Sequence, residues 1–173
     1  ASIAAVGFAL TAYPIGGVNG WITREEARAR TLTTLQFFAD APQGPGETGF
    51  SGYKGFFYHF LGVTKGQRFA RCELSTVDTA LLLGGVLFAQ SWFDGEHPDE
   101  ARIRALADRI YGAVDWTWIT PRAPLLAMGW HPESGFIPSD WDIYNEGMLL
   151  YLLALGSPTH PLPEGTWAAW TSR

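Results

Sequence analysis

The sequence predicts an all-α fold of stacked αα-hairpins, and two observations carry that prediction. Apolar helical segments alternate with amphipathic ones along the chain, and the apolar ones are too evenly hydrophobic to lie on a surface. That alternation describes inner helices shielded by outer ones, the layering of solenoids and α/α toroids. The 173 residues are 47% hydrophobic and 17% charged, enough for one domain with a sizeable core.

Taken in order, Ser2–Ala12 carries Ile3, Val6, Phe8 and Leu10 and reads as a mostly buried helix, expected to end at Tyr13-Pro14 and Gly16-Gly17. Thr23-Arg-Glu-Glu26 is a capping box that starts an amphipathic helix over about Arg24–Phe38. Its Arg24, Glu25, Arg28 and Arg30 face solvent, and Leu32, Leu35 and Phe38 face inward. Asp40–Thr48 is a loop, and the glycine-spaced aromatics of Gly49–Gly62 suit short strands or a hairpin-like loop. Arg71–Phe93 holds the central helix, almost without polar interruption from Ala80 to Ala89. Ser75 or Thr76 can cap it, and Asp78 falls in its first turn, where negative charge is favoured. Phe93-Asp94-Gly95 stops it. Asp99–Val114 is the second amphipathic helix, with Ile103, Leu106, Ala107, Ile110, Tyr111 and Val114 at helical spacing. Thr120–Trp141 reads as a long, proline-rich loop, of the kind that is functional or disordered, and its aromatic content argues for function. Met148–Leu155 is the third apolar helix, stopped by Gly156. Ser157–Pro163 is an extended turn, and Thr166–Trp170 a short closing helix.

Several function classes are set aside by composition. A net charge of −5 without a Lys/Arg run argues against nucleic acid. Cys72 alone makes no internal disulfide and no cysteine-based zinc site. No His-x-x-x-His pair, acidic calcium loop or glycine-rich phosphate loop is present, so neither metal nor cofactor is indicated. Ser75 has no adjacent base for nucleophilic chemistry. The apolar runs are too short or too broken to span a membrane. The chain opens on Ala1 rather than Met, so processing or truncation is expected to have removed what came before. Compartment stays open, periplasmic or cytoplasmic.

What the sequence offers chemically is carboxylates and aromatic rings. Eight Trp are present, and Trp116, Trp118, Trp130 and Trp141 lie outside helical periods, near His, Asn, Asp and Glu. Indole faces stack on sugar rings while acids and amides bond the hydroxyls, so this mixture suits a hydroxyl-rich ligand; core packing is the competing role. Glu73 and Glu146 each stand at the N-terminal end of an apolar helix. Consecutive inner helices of a ring run parallel, so both carboxylates are expected to open on one face. Two carboxylates in one pocket are the minimum for cleaving a glycosidic bond, one giving a proton and the other acting as nucleophile or base. Against this stand blander roles: Glu146 as a helix-stabilising acid, Asp78 as a capping residue, Glu73 or Asp78 ion-paired with Arg71, Asp115 as a helix-ending acid in need of a partner. For His59 taken alone a structural role outweighs a functional one, while His131 and His160 are as well explained by packing as by bonding sugar hydroxyls.

The strings GFFYHFL, CELSTVDTALLLGGVLFAQSWF, IYGAVDWTW, MGWHPESGF, YNEGMLLYLLALGSPTHPL and WAAW resemble the bacterial glucoamylase-like domain family. That family includes endo-β-1,2-glucanases and the glucan-processing domain of cyclic β-1,2-glucan synthases. The resemblance implies an (α/α)6 toroid with a carboxylate-lined cleft and a glycoside hydrolase acting on a β-linked glucan, β-1,2 above all. It implies Glu73 and Glu146 as the essential acids, with Tyr58, His59, Asp78, Asp115, Trp130, His131, Trp141 and Tyr144 lining the sugar subsites. The family domain is longer, so residues 1–173 correspond to about half of the ring, one incomplete domain that another chain or a missing segment would complete. Transglycosylation of the same glucan, and a non-catalytic module binding sugar or protein through its Trp-rich face, are the alternatives.

Overall fold

The computed structural model describes residues 1–172. It is mostly helical, with small sheets at one end. Among the described residues, six helices follow one another in three consecutive pairs: α1 (Ile3–Val18) with α2 (Arg24–Asp40), α3 (Thr76–Trp92) with α4 (Pro98–Gly112), and α5 (Met148–Leu155) with α6 (Gly165–Thr171). Helix α3 packs between α1 and α5, while α2 packs along α4, so the first two pairs stand side by side in two layers.

Local chemistry explains most boundaries. Ser2 caps α1 by accepting from Ala5 N–H. The capping box at α2 forms in both directions, Thr23 to the Glu26 N–H and Glu26 to the Thr23 N–H. Ser75 caps α3, accepting from Asp78 N–H, and Pro98 opens α4 behind His97. One expected boundary is corrected: α1 continues through Pro14 to Val18. Proline forfeits one helical hydrogen bond. Here its ring is buried, and the turn beyond it packs Gly16 on Ile22 and Gly17 on the Trp92 indole, so tertiary contact carries the helix past the breaker.

The interior is set by α3, whose Leu82, Leu83 and Val86 are fully buried. Burial of side chains this size stabilises by roughly 1.5–3 kcal/mol each. Helix α1 crosses α3 on bare backbone: a β-carbon on Gly7 would lie 2.3 Å from Leu81 O, and one on Gly85 2.1 Å from Gly7 O. The helix is not buried on every side as its composition predicted. Phe88 is 42% exposed, as are Phe8 and Ile15 of α1 and Met148 and Leu152 of α5 to similar or greater degree. Each inner helix therefore leaves an apolar strip open.

The loops at one end are ordered by short antiparallel ladders. β1 (Gly52–Tyr53) and β2 (Phe56–Phe57) form the hairpin expected within Gly49–Gly62. The Thr120–Trp141 stretch is not a plain loop; it contributes β4 (Leu126–Ala127), β5 (Gly129–His131), β6 (Gly135–Phe136) and β7 (Asp140–Trp141). β3 (Leu74–Ser75) pairs with β5, β5 with β6, and β4 with β7. These strands are too short to show an alternating pattern in sequence, which is why the stretch reads as irregular. Arg122 holds the β4–β7 end through paired bonds to Asp140 at 2.7 and 2.8 Å.

Candidate active site

The N-terminal ends of α1, α3 and α5 meet at this laddered end. Ile3 N–H donates to His59 O, and His59 N–H to Glu73 O, which ties the start of α1 to the strand leading into α3. Thr76, the first residue of α3, donates its hydroxyl to the carbonyls of Ala127 and Met128, each 2.9 Å away, and accepts from Trp141 Nε1 at 3.1 Å. The Trp141 ring in turn lies against Gly147, just ahead of α5. Tyr151 of α5 donates to Trp141 O and accepts from Leu126 N–H. The starts of the inner helices thus meet at one end, as the alternation predicted.

Glu73 sits at that end with its stem over Gly129, where a β-carbon would come 3.3 Å from Glu73 Cγ. Its Oε1 is 2.7 Å from His59 Nδ1. The other ring nitrogen, Nε2, is 3.5 Å from Asp78 Oδ1, and Ser75 Oγ donates to Asp78 Oδ2. Glu73, His59, Asp78 and Ser75 therefore form one polar chain across the mouth of the central helix. The Glu73 and His59 side chains are each 30% exposed, enough to meet a ligand. Arg71 takes no part, contrary to the ion pair considered from sequence; it points out to Glu47 and Glu133. Among the described residues neither Glu73 nor Glu146 has an Arg or Lys partner. Glu146 is exposed in the turn before α5, where Asn145 Oδ1 accepts from Gly147 N–H.

The other residues expected around a sugar are distributed differently. Tyr58 is fully buried with the Arg68 guanidinium 4.8 Å over its ring, so it lies beneath the site rather than on its surface. Its phenol is pushed above its ordinary value by burial. Trp141 is buried and serves as the pin between α3 and α5. Trp130 pairs with Leu74 across the ladder, so the pleat turns its indole away from Glu73. It joins Tyr53, Trp118 and Phe136 in a half-buried aromatic group. His131 leans on Arg68, 3.4 Å from Nη2. Tyr144 is 70% exposed and stacks on Trp170.

Asp115 has found its partner in Lys54 at 3.2 Å. Burial opposes its ionisation, but hydrogen bonds from Thr117, Lys54 and Trp118 N–H outweigh it and keep the carboxyl below its ordinary value. With His160, Lys54 and Arg109 it lines a cavity of about 420 Å³ whose lining includes neither Glu73 nor Glu146.

Sequence reasoning missed two features of this end. One is the clamp of Arg68 on Glu133, bonded at 2.7 and 3.1 Å, which fastens the segment before α3 to the turn after β5. Arg68 holds the Glu133 carboxyl down at a pKa of about 2. No signal marks a pair so distant along the chain. The other is the platform of Tyr53, Trp118 and Phe136 around Trp130, for which the clustering of aromatics in Gly49–Gly62 and Thr120–Trp141 was the available signal. Among the described residues no group of His, Cys, Asp and Glu could hold a metal ion, and no helix is long and apolar enough to cross a membrane.

Comparison with known proteins agrees with the resemblance carried by the motifs. A family described as "Putative glucoamylase" matches residues 138–173, the stretch with Glu146 and α5. A curated relative, the exo β-1,2-glucooligosaccharide sophorohydrolase (non-reducing end) of Parabacteroides distasonis, is 29% identical over 98% of this chain. The crystal structure of a "putative glucoamylase" from Bacteroides uniformis superposes over 100% of the chain with a TM-score of 0.85 at 26% identity. That of a β-1,2-glucanase from Parabacteroides distasonis superposes over 98% with a TM-score of 0.83 at 27% identity. The chain spans only 23% of the curated relative, and 42% and 24% of these two structures. In sequence and in fold, the chain is similar over nearly its whole length to part of each of these longer proteins.

Proposed function

We propose that this chain is part of a glycoside hydrolase acting on β-1,2-linked glucan, with Glu73 and Glu146 as its two carboxylates. The observation that carries the reading is the placement of Glu73: a 30% exposed acid at the mouth of the central helix, bonded to a histidine and, among the described residues, to no arginine or lysine. An acid kept only for stability is normally neutralised, as desolvating an unpaired carboxylate is costly. Glu146 precedes α5, whose start is pinned through Trp141 to the start of α3, and this supports a shared cleft. The names of the relatives supply the substrate class.

The reading extends to architecture. Three parallel inner helices backed by outer ones make up about half of an (α/α)6 toroid. The open apolar strips of α1, α3 and α5 are the surfaces that further helices of such a ring would cover; exposed apolar area of this kind marks an interface. We take those helices to come from the longer protein of which, on this reading, residues 1–173 are one piece.

The test is made in the complete protein. Glu73→Gln and Glu146→Gln should each reduce release of sophoro-oligosaccharides from β-1,2-glucan to background while melting and circular dichroism stay as in the wild type. Full activity in either variant would remove that residue from the chemistry. Products longer than the substrate, or cyclic ones, would reassign the reaction to transglycosylation.

A further inference from the structure

We propose that His59 is a positioning residue for Glu73, and not a sugar contact. The inference rests on the functional reading of Glu73 given above. A histidine that binds a sugar hydroxyl needs a free ring nitrogen. Here Nδ1 is 2.7 Å from Glu73 Oε1, and Nε2 faces Asp78 Oδ1 at 3.5 Å. Nδ1–H donates to Glu73, and the Asp78 carboxylate, fixed in the first turn of α3 by Ser75, stands in front of Nε2 where a sugar hydroxyl would have to sit.

The rest of the residue is equally constrained. Its carbonyl accepts from Ile3 N–H at the start of α1, and its N–H donates to Glu73 O at 2.9 Å. Its ring lies flat on Phe60, centroids 4.0 Å apart and planes 13° from parallel. His59 is thus anchored to α1 and to Glu73 just ahead of β3, with Asp78 of α3 facing it, and it passes the position of the helix ends on to one carboxylate oxygen. Among the described residues nothing bonds the second oxygen of Glu73, which stays available to a substrate. Gly129 adds to the same device, because any side chain there would press on the Glu73 stem. Held this way, the carboxylate meets the substrate without first having to be ordered, and misplacement by about 1 Å can cost roughly 10²-fold in rate.

The experiment compares His59→Ala, His59→Asn and His59→Gln in the complete protein. The Asn amide nitrogen falls near Nδ1 and can still donate to Glu73; that of Gln falls near Nε2 and cannot. On β-1,2-glucan, His59→Ala should lower kcat by roughly 10²-fold with KM within about 2-fold, Asn should restore most of kcat, and Gln should not. A raised KM at unchanged kcat would make His59 a sugar contact and overturn the proposal. Equal losses in all three variants would overturn it too, leaving a packing role only.

A second measurement does not depend on turnover. In protein labelled with 15N in its imidazoles, the Nδ1 resonance of His59 should move in Glu73→Gln and the Nε2 resonance in Asp78→Asn. An unmoved Nδ1 sinks the bridge. If the wild-type protein cleaves no β-1,2-glucan, the functional reading fails, while the 15N shifts still decide whether His59 holds Glu73.

Discussion

Two partly or fully buried glutamates, one at each end of the helical layers, differ in nearly every respect. Glu100, in the first turn of α4, has a side chain only 3% exposed and is saturated. Arg24 donates to both of its oxygens at 2.8 Å, Arg28 lies 3.7 Å away, and Gly95 N–H donates at 2.9 Å. The Arg24 bond above all holds its carboxyl down at a pKa of about 2. Arg24 also rests on the Trp92 ring at 4.2 Å. Glu73, at the opposite end, is ten times as exposed and, among the described residues, has one histidine as its side-chain partner. A carboxylate surrounded by cations can only hold the structure together. One left with a free oxygen at a helix mouth retains the capacity to react.

Substitution should separate the two roles, and the largest effect belongs to Glu73. In the complete protein, on the proposed function, Glu73→Gln is expected to lower glucan cleavage by roughly 10²–10⁴-fold, the range for loss of an acid–base group, with little change in melting temperature. Glu100→Gln should do the reverse. Its ionised form is favoured in the folded state by a shift from 4.5 to about 2, which corresponds to about 3 kcal/mol. Urea unfolding at pH 7 should show a loss of that order, while the folded fraction keeps its specific activity. The sign of the pH dependence follows: a depressed carboxylate stabilises fully above its unfolded value of 4.5, and that contribution drains away as pH falls toward 2. The gap in stability between wild type and Glu100→Gln should therefore close between about pH 5 and pH 2. A gap that stayed constant would mean the arginines matter through packing alone.

Smaller effects test what lies between the two ends. Gly7→Ala forces a methyl against Leu81 O and should cost about 1–3 kcal/mol in unfolding experiments. Arg122→Ala removes a pair with Asp140 in which the arginine is 41% exposed, and should cost about 1 kcal/mol or less in thermal melts, less still at high salt.

How much of this was legible in the sequence depended on distance along the chain. Ser75 as a cap, the Thr23–Glu26 box, the Phe93 stop and the Gly156 stop are local devices, and each stands where its neighbours predict. The meeting of the inner helix starts at one end followed from alternation of apolar and amphipathic segments. Pro14 misled, because packing on Ile22 and Trp92 is not local. The ladders between Leu126 and Trp141 were hidden by strands of two or three residues. Glu73 could be singled out by its place ahead of α3, but its tie to His59 could not, nor could the burial of Tyr58 beneath Arg68. These depend on which loops meet, which no short-range pattern encodes. Glu100 drew no notice for the same reason: its arginines lie a helical pair away.

The bare crossing of Gly7 and Gly85 has a mechanical consequence. With no side chain between them, α1 and α3 fit like two halves of a single beam, and neither can slide along the other without collision. Loops mounted on the end of that beam can lengthen or shorten from one relative to the next. The height at which Glu73 stands above it would not change.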